Sequence, residues 1–312
     1  MSNILVTGGT GFIGSYIARR LLDDGHRVVC FDNIFNESRQ KFIGDQAVFH
    51  IGDMTRIEEI ISVIKDYKIE KIVAMAFLMP EVAEKNLQLA THVNILGVNN
   101  VFEAARLSNI KRVVYSSSIS VYGHFSWFGD KPVREVPENF RPPHTVYGAA
   151  KQFNEFMAGR YNQNYQMEII CMRLSIVFGY GRMHGVTAWI DNMISNPVRG
   201  IATDVPRKST QKINIIYVKD LAEIFSTIVN ASKVKERIYN TGRHTTSLLE
   251  MSEIVKKHFP QAKFSFKGEE PPFFLAYYVN DSRLRTEFSL SDHSLEDNIL
   301  DQMKEVKQAE GL

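Results

Sequence analysis

The chain has 312 residues, 44% of them hydrophobic and 23% charged, enough for a large core and too apolar for a disordered chain. Its 37 basic and 35 acidic residues leave a net charge of +2, so no strong field draws it to nucleic acid or anionic lipid. Two cysteines, Cys30 and Cys171, lie in apolar, strand-like runs and read as core thiols of a reducing compartment rather than a disulfide framework. The longest apolar run, residues 72–79, is far short of the ~20 a membrane helix needs. No leader pattern precedes the first strand, and a cytoplasmic protein without nucleic-acid or membrane partners is expected.

Taken in chain order, residues 4–7 form a short apolar strand, followed by a glycine turn and a helix over 12–24 that stops at Gly25. Strands follow at 27–31 and 47–51. A helix over 57–67 carries Ile57, Ile60, Ile61 and Ile64 on one face. A strand at 71–75 leads to a long helix over 86–108, with Leu89, Val93, Leu96, Val101 and Ala104 at helical spacing. Then come a strand at 112–116, a helix over 146–161 and a strand at 167–173. This alternation predicts an α/β fold: a mostly parallel sheet with helices on both faces. Beyond it, residues 179–212 show no long period, helices are expected at 218–231 and 248–259, and residues 307–312 read as a frayed end. The domain reading is one unit over 1–175, rejoined by 213–240, and a smaller C-terminal α+β lobe over most of 176–312.

Gly8, Gly11 and Gly14 fall in Thr-Gly-Gly-Thr-Gly-Phe-Ile-Gly, between the first strand and the first helix. The first glycine permits a tight turn, the second lets the backbone approach a pyrophosphate, and the third lets helix and strand pack closely. The helix N-terminus, with Phe12 and Ile13, offers free N–H groups to the phosphates. Asp32 ends the second strand, where a carboxylate meets the adenosine ribose. A 2′-phosphate there would be repelled by about 4 kcal/mol per unit charge at ~4 Å and an effective dielectric of ~20, so NAD is expected rather than NADP. Arg39, seven residues on, is the one residue that argues the other way. Asp53 is placed either to accept from the adenine amino group or to cap the next helix.

Tyr147 and Lys151 lie four apart on one helical face. A phenol of pKa ~10 is a poor base at neutral pH, and a neighbouring ammonium lowers that value. Tyr147 is then positioned to exchange a carbinol proton while hydride moves to or from a nicotinamide. Ser116, Ser117 and Ser118 end the preceding strand, on the crevice side of a parallel sheet, where a hydroxyl can hold the substrate oxygen.

With these motifs in view, the chain resembles an extended short-chain dehydrogenase/reductase of the NAD-dependent epimerase/dehydratase family. The resemblance rests on residues 7–14, Asp32, residues 116–123, Tyr147 to Lys151, residues 173–181, 215–222 and 239–249, nearly the whole chain. It implies a Rossmann-like, doubly wound NAD-binding domain over 1–175, a smaller C-terminal substrate lobe over most of 176–312, and a Ser-Tyr-Lys set, here Ser118, Tyr147 and Lys151. The cofactor-binding set expected with it is Gly8, Gly11, Phe12, Ile13, Gly14, Asp32, Asn33, Asp53, Met54, Ala74, Ala76, Ser116, Tyr147, Lys151 and Ile176. The expected substrate set is Met79, Ser118, Ser120 and His184. Asn94 matches a family asparagine that kinks the long helix or holds a water; a plain helix-surface Asn is the alternative. The resemblance also implies a homodimer through helices near 86–108 and 146–163.

Departures from the family pattern narrow the reaction. Ile119 and Ser120 follow Ser118 where dehydratases carry Asp-Glu, which sets sugar dehydration aside. Ile176, Ile213 and Met79 stand where UDP-sugar epimerases carry Asn, Arg and Lys. Each lost charged contact removes about 1.5–3 kcal/mol of binding, although Lys208, Lys212 or Arg182 could substitute. Phe77, Leu78, Phe125, Trp127, Phe128, Phe273, Phe274, Tyr277 and Tyr278 line a partly apolar pocket or fill the lobe core. The expected activity is hydride transfer between NAD(H) and a secondary alcohol or ketone of a small, non-nucleotide molecule. A sugar epimerase with retained NAD and a non-catalytic dinucleotide-binding scaffold are the alternatives. No metal-ligand spacing is present.

Overall fold

The computed structural model describes residues 1–34, 36–268 and 274–312. The first strands are β1 (Asn3–Thr7), β2 (Arg27–Asp32), β3 (Val48–Ile51), β4 (Lys71–Ala74), β5 (Arg112–Ser118) and β6 (Glu168–Leu174). The later ones are β7 (Ile176–Phe178), β8 (Thr203–Val205), β9 (Lys212–Tyr217), β10 (Ile238–Asn240), β11 (His244–Ser247) and β12 (Phe264–Phe266). Seven of them form a parallel sheet in the order β10-β6-β5-β4-β1-β2-β3, the doubly wound architecture expected. β7, β9 and β11 form a second sheet, and β8 pairs with β12.

Alternation along each strand fixes the layers. Ile4, Val6, Val28, Cys30, Val73 and Val114 enter one core, with the helices Phe12–Asp23 and Val218–Asn230. Leu5, Val29, Phe31, Ile72, Val113 and Cys171 enter the other, with the helices Ile57–Asp66 and Val98–Leu107. The two cysteines are thus free, buried and on opposite faces. Strand order reverses between β1 and β4, which opens a crevice at their C-terminal ends. There Thr7 Oγ1 accepts from the amides of Met75 (3.2 Å) and Ala76 (3.3 Å).

Three local expectations are corrected. The long helix expected over 86–108 runs without interruption as Leu87–Ala90, a π-helical stretch Thr91–Gly97 and Val98–Leu107. Asn94, fully buried within that stretch, is no surface residue. Its amide accepts from Leu78 N (2.7 Å) and donates to Leu78 O (3.1 Å), and its own carbonyl accepts from Asn154 Nδ2 (2.7 Å). The aperiodic segment holds a helix, Trp189–Val198, too short for its apolar period to register and carrying Pro197. The chain end is not frayed. A helix Leu295–Glu310 opens on a Ser294/Asp297 capping box and ends with Glu310 paired to Arg199 at 2.5 Å.

Beneath the crevice, Arg173 of β6 grips Glu155 of the helix Val146–Tyr165 with Nε–Oε1 2.9 Å and Nη2–Oε2 2.7 Å. Ser117 Oγ of β5 donates to the same carboxylate at 2.5 Å. Arg173 Nη1 donates to the Tyr122 hydroxyl, which donates to Asn240 Oδ1, each at 2.8 Å. Removing one partner of such a buried pair leaves an uncompensated charge. Glu155→Ala is expected to lose about 3–5 kcal/mol of stability, read from urea unfolding. Replacing both partners, as in Glu155→Leu with Arg173→Met, should recover much of that loss; an additive loss would show that the pair is not the cause.

Candidate active site

The glycine turn is built by contact as well as conformation. Gly8 has φ +66°, and a Cβ there would lie 2.8 Å from the Ala76 backbone; one at Gly14 would lie 2.1 Å from Gly8 O. A Cβ at Gly11 would meet Gly8 O alone, at a tight 3.1 Å, a milder clash than at Gly8 or Gly14. Gly9 is equally constrained, by Cys30 at 2.7 Å and Val6 O at 2.8 Å, which the glycine spacing did not reveal. No side chain caps the helix that starts at Phe12, and no acid occupies its first turn, so its amides are suited to an anion.

Asp32 stands at the end of β2 as expected, with its carboxylate oriented by Thr10 N (3.1 Å), Thr10 Oγ1 (2.7 Å) and Asn33 N (2.9 Å). Arg39 is engaged elsewhere: Nη2 donates to Gly181 O at 2.5 Å and the guanidinium lies over the Phe12 ring. Asp53 does not cap the next helix, whose N-cap is Arg56; its carboxylate accepts from Thr55 N at 2.8 Å. Met54 and Ile176 turn their side chains into the core, which leaves their main chains for a cofactor. These residues fit a dinucleotide with an unphosphorylated ribose.

Thr145 caps the helix that carries Tyr147 and Lys151, its Oγ1 accepting from Gly148 N at 3.0 Å. Gly148 brings the helix against β5, since a Cβ there would lie 2.7 Å from Ser120 O. This packing brings Tyr147 beside the Ser118 hydroxyl, and Ser118 Oγ donates to Ser120 Oγ at 3.1 Å. Lys151 is fully buried; its ammonium donates to Ser116 O and lies 3.5 Å from the Phe77 ring centroid and 4.7 Å from that of Tyr115.

The electrostatics correct the expectation of a phenol lowered by its lysine. Burial pushes Tyr147 up to about 12, opposed by the Ser118 hydrogen bond and by Arg182. Burial also holds Lys151 well below the usual amine range, with Glu155 acting against it. Both charged forms lose water, and that cost exceeds what Arg182 and Ser118 return to Tyr147 and what Glu155 returns to Lys151.

Arg182 is the site residue that spacing did not single out for this role. Its guanidinium donates to Val177 O and, at 2.5 Å, to Thr187 Oγ1. The same loop leaves His184 exposed and closes on Met79, whose Cε would lie 2.9 Å from a Cβ at Gly185. It is thus Arg182, not His184, that acts on Tyr147. Of the aromatics, Phe128 is lobe core, Trp127 is 57% exposed, and Phe273 lies outside the described residues.

Gly11→Ala is expected to keep stability within about 1 kcal/mol of the parent while weakening NAD binding at least tenfold, read by thermal unfolding and calorimetry. Gly14→Ala should lose stability as well, because its Cβ strikes backbone. Equal effects in the two variants would contradict this division.

Residues 4–242 match the model of the NAD dependent epimerase/dehydratase family. A putative UDP-glucose 4-epimerase of Methanocaldococcus jannaschii is 30% identical over 85% of this chain and 84% of its own. Among solved structures, the NAD complex of UDP-glucose 4-epimerase from Thermus thermophilus is similar with a TM-score of 0.85 and 21% identity, covering 98% and 99% of the two chains. The L-threonine dehydrogenase of Clostridium difficile has a TM-score of 0.88 and 20% identity, over 99% and 98%. The family match extends through the glycine turn, the Ser118–Tyr147–Lys151 cluster and the return of the chain to β10, and the chain belongs to the NAD-dependent epimerase/dehydratase family of enzymes, with NAD as its cofactor.

Proposed function

We propose that the protein is an oxidoreductase acting on a secondary alcohol or ketone of a small, non-nucleotide substrate. One observation carries the choice. The positions expected to bind a nucleotide diphosphate are apolar, and two of them, Ile176 and Ile213, are only 6% and 2% exposed in the core. Lys212, one of the candidate substitutes, pairs with Asp130 at 2.8 Å. The name of the archaeal relative favours a second reading, an epimerase of nucleotide sugars.

The bound dinucleotide supplies the hydride acceptor or donor. Gly8, Gly11 and the amides after it would hold its phosphates, and Asp32 its adenosine ribose. Ser118 orients the substrate oxygen. Tyr147, protonated across the neutral range, gives its proton to a ketone oxygen, and takes one back in the reverse direction. Lys151, anchored on Ser116 O, is placed to hold the nicotinamide ribose.

Tyr147→Phe is expected to lower kcat by about 10²–10⁴-fold with little change in NAD affinity. Alcohol oxidation should rise about tenfold per pH unit below the Tyr147 pKa, while ketone reduction stays flat near neutrality. Arg182→Met should move the oxidation limb to higher pH, because the lost cation lowered that pKa. An unchanged pH limb would remove Tyr147 from the proton path. Turnover of UDP-sugars without net NADH would select the epimerase.

The same proposal includes a homodimer. Leu89, Leu96, Phe153 and Phe156 lie exposed on the two long helical segments, Phe156 by 66%, and a second copy would cover them. The parent should sediment as a dimer and Leu96→Glu with Phe156→Glu as a monomer; a monomeric parent contradicts this.

A further inference from the structure

We propose, on the basis of the oxidoreductase reading above, that Arg182 and Thr187 form an anion subsite that seats a carboxylate of the substrate while Ser118 and Tyr147 hold its carbinol oxygen. The substrate class is then a small hydroxy acid or the corresponding oxo acid.

Arg182 forms no ion pair among the described residues; its guanidinium bonds only to Val177 O and Thr187 Oγ1. Asp191 and Glu81 act on it only through space. Asp191 is turned away: its Oδ1 accepts from Gln302 Nε2 at 2.6 Å and its Oδ2 from Ser195 Oγ at 3.1 Å. Burial also pushes Asp191 up to about 7, so it carries only part of a charge at neutrality. Burial pushes Arg182 itself down to about 10, the direction of a guanidinium whose charge is not compensated.

The geometry fits a planar anion. Val177 O and Thr187 Oγ1 take two of the five N–H donors of the guanidinium. The rest of the fork matches a carboxylate, and the Thr187 hydroxyl stands beside it. Arg39, not Arg182, stands over Phe12 at the start of the phosphate-binding helix, bonded to Gly181 O. The two arginines thus divide the loop, Arg39 toward the phosphate end and Arg182 toward Tyr147. A nucleotide diphosphate would need more cationic partners than one guanidinium and a hydroxyl supply.

The test uses the NAD-loaded protein with lactate, 3-hydroxybutyrate and 4-hydroxyvalerate, each beside its methyl ester. The acid-to-ester ratio of kcat/KM is insensitive to the effect of Arg182 on Tyr147, which both substrates share. The parent should prefer at least one acid, and Arg182→Met should cut that ratio roughly ten- to a hundredfold, with a smaller fall in Thr187→Val. In parallel, the same carboxylates should slow phenylglyoxal modification of Arg182, read by peptide mass spectrometry. Protection without turnover keeps the subsite and discards the oxidoreductase reading for these alcohols. Equal turnover of acids and esters, or a ratio unchanged in Arg182→Met, overturns the subsite and leaves the oxidoreductase standing. The absence of both turnover and protection overturns the subsite, and epimerisation of UDP-sugars in that case overturns both.

Discussion

The buried pair of Arg173 and Glu155 joins three elements that the chemistry needs in register. It ties β6 to the helix that carries Tyr147 and Lys151, and through Ser117 it ties both to β5. Ser116 and Ser118, on either side of Ser117, meet Lys151 and Tyr147. A shift of this helix along β5 would separate all of these contacts together. The pair also reaches across the molecule, through Tyr122 and Asn240, to the Val133 and Asn280 carbonyls. Such a network is costly to desolvate and gains stability only when every member is satisfied. Its value here is in specifying one arrangement of helix and strand.

In the proposed mechanism, the site above it works by withholding water. Tyr147 and Lys151 are both moved away from their charged forms by burial. This keeps the phenol protonated until a substrate oxygen and a cofactor complete the site. Arg182 tunes the phenol in the opposite sense, so the residue proposed to seat the substrate also couples its charge to the proton step.

Much of the fold was legible because the central strands are apolar on both faces and the glycine turn must lie between strand and helix. Tyr147 and Lys151 were legible because a four-residue spacing puts them on one face. What escaped has physical causes. A π-turn leaves the hydrophobic period almost intact, so only the burial of Asn94 reveals it. The last helix carries Ile299, Met303 and Val306 at helical spacing, diluted by the buried polar Asn298 and Gln302; the Ser294 capping box was the readable signal. Arg182 stands alone in a glycine-bearing loop, and only tertiary folding brings it to Tyr147. The pKa expectation failed because spacing reports neighbours and not desolvation.

The central claim is that hydride passes to an exchangeable NAD and not back to the same substrate. The most direct measurement is to denature freshly purified protein, quantify the released nicotinamide cofactor, and repeat after incubation with isotopically labelled NAD. The account predicts NAD, not NADP, at less than one per chain or fully exchanged with the label. One NAD per chain that does not exchange would contradict it and identify an internally recycling epimerase; NADP would contradict the reading of Asp32.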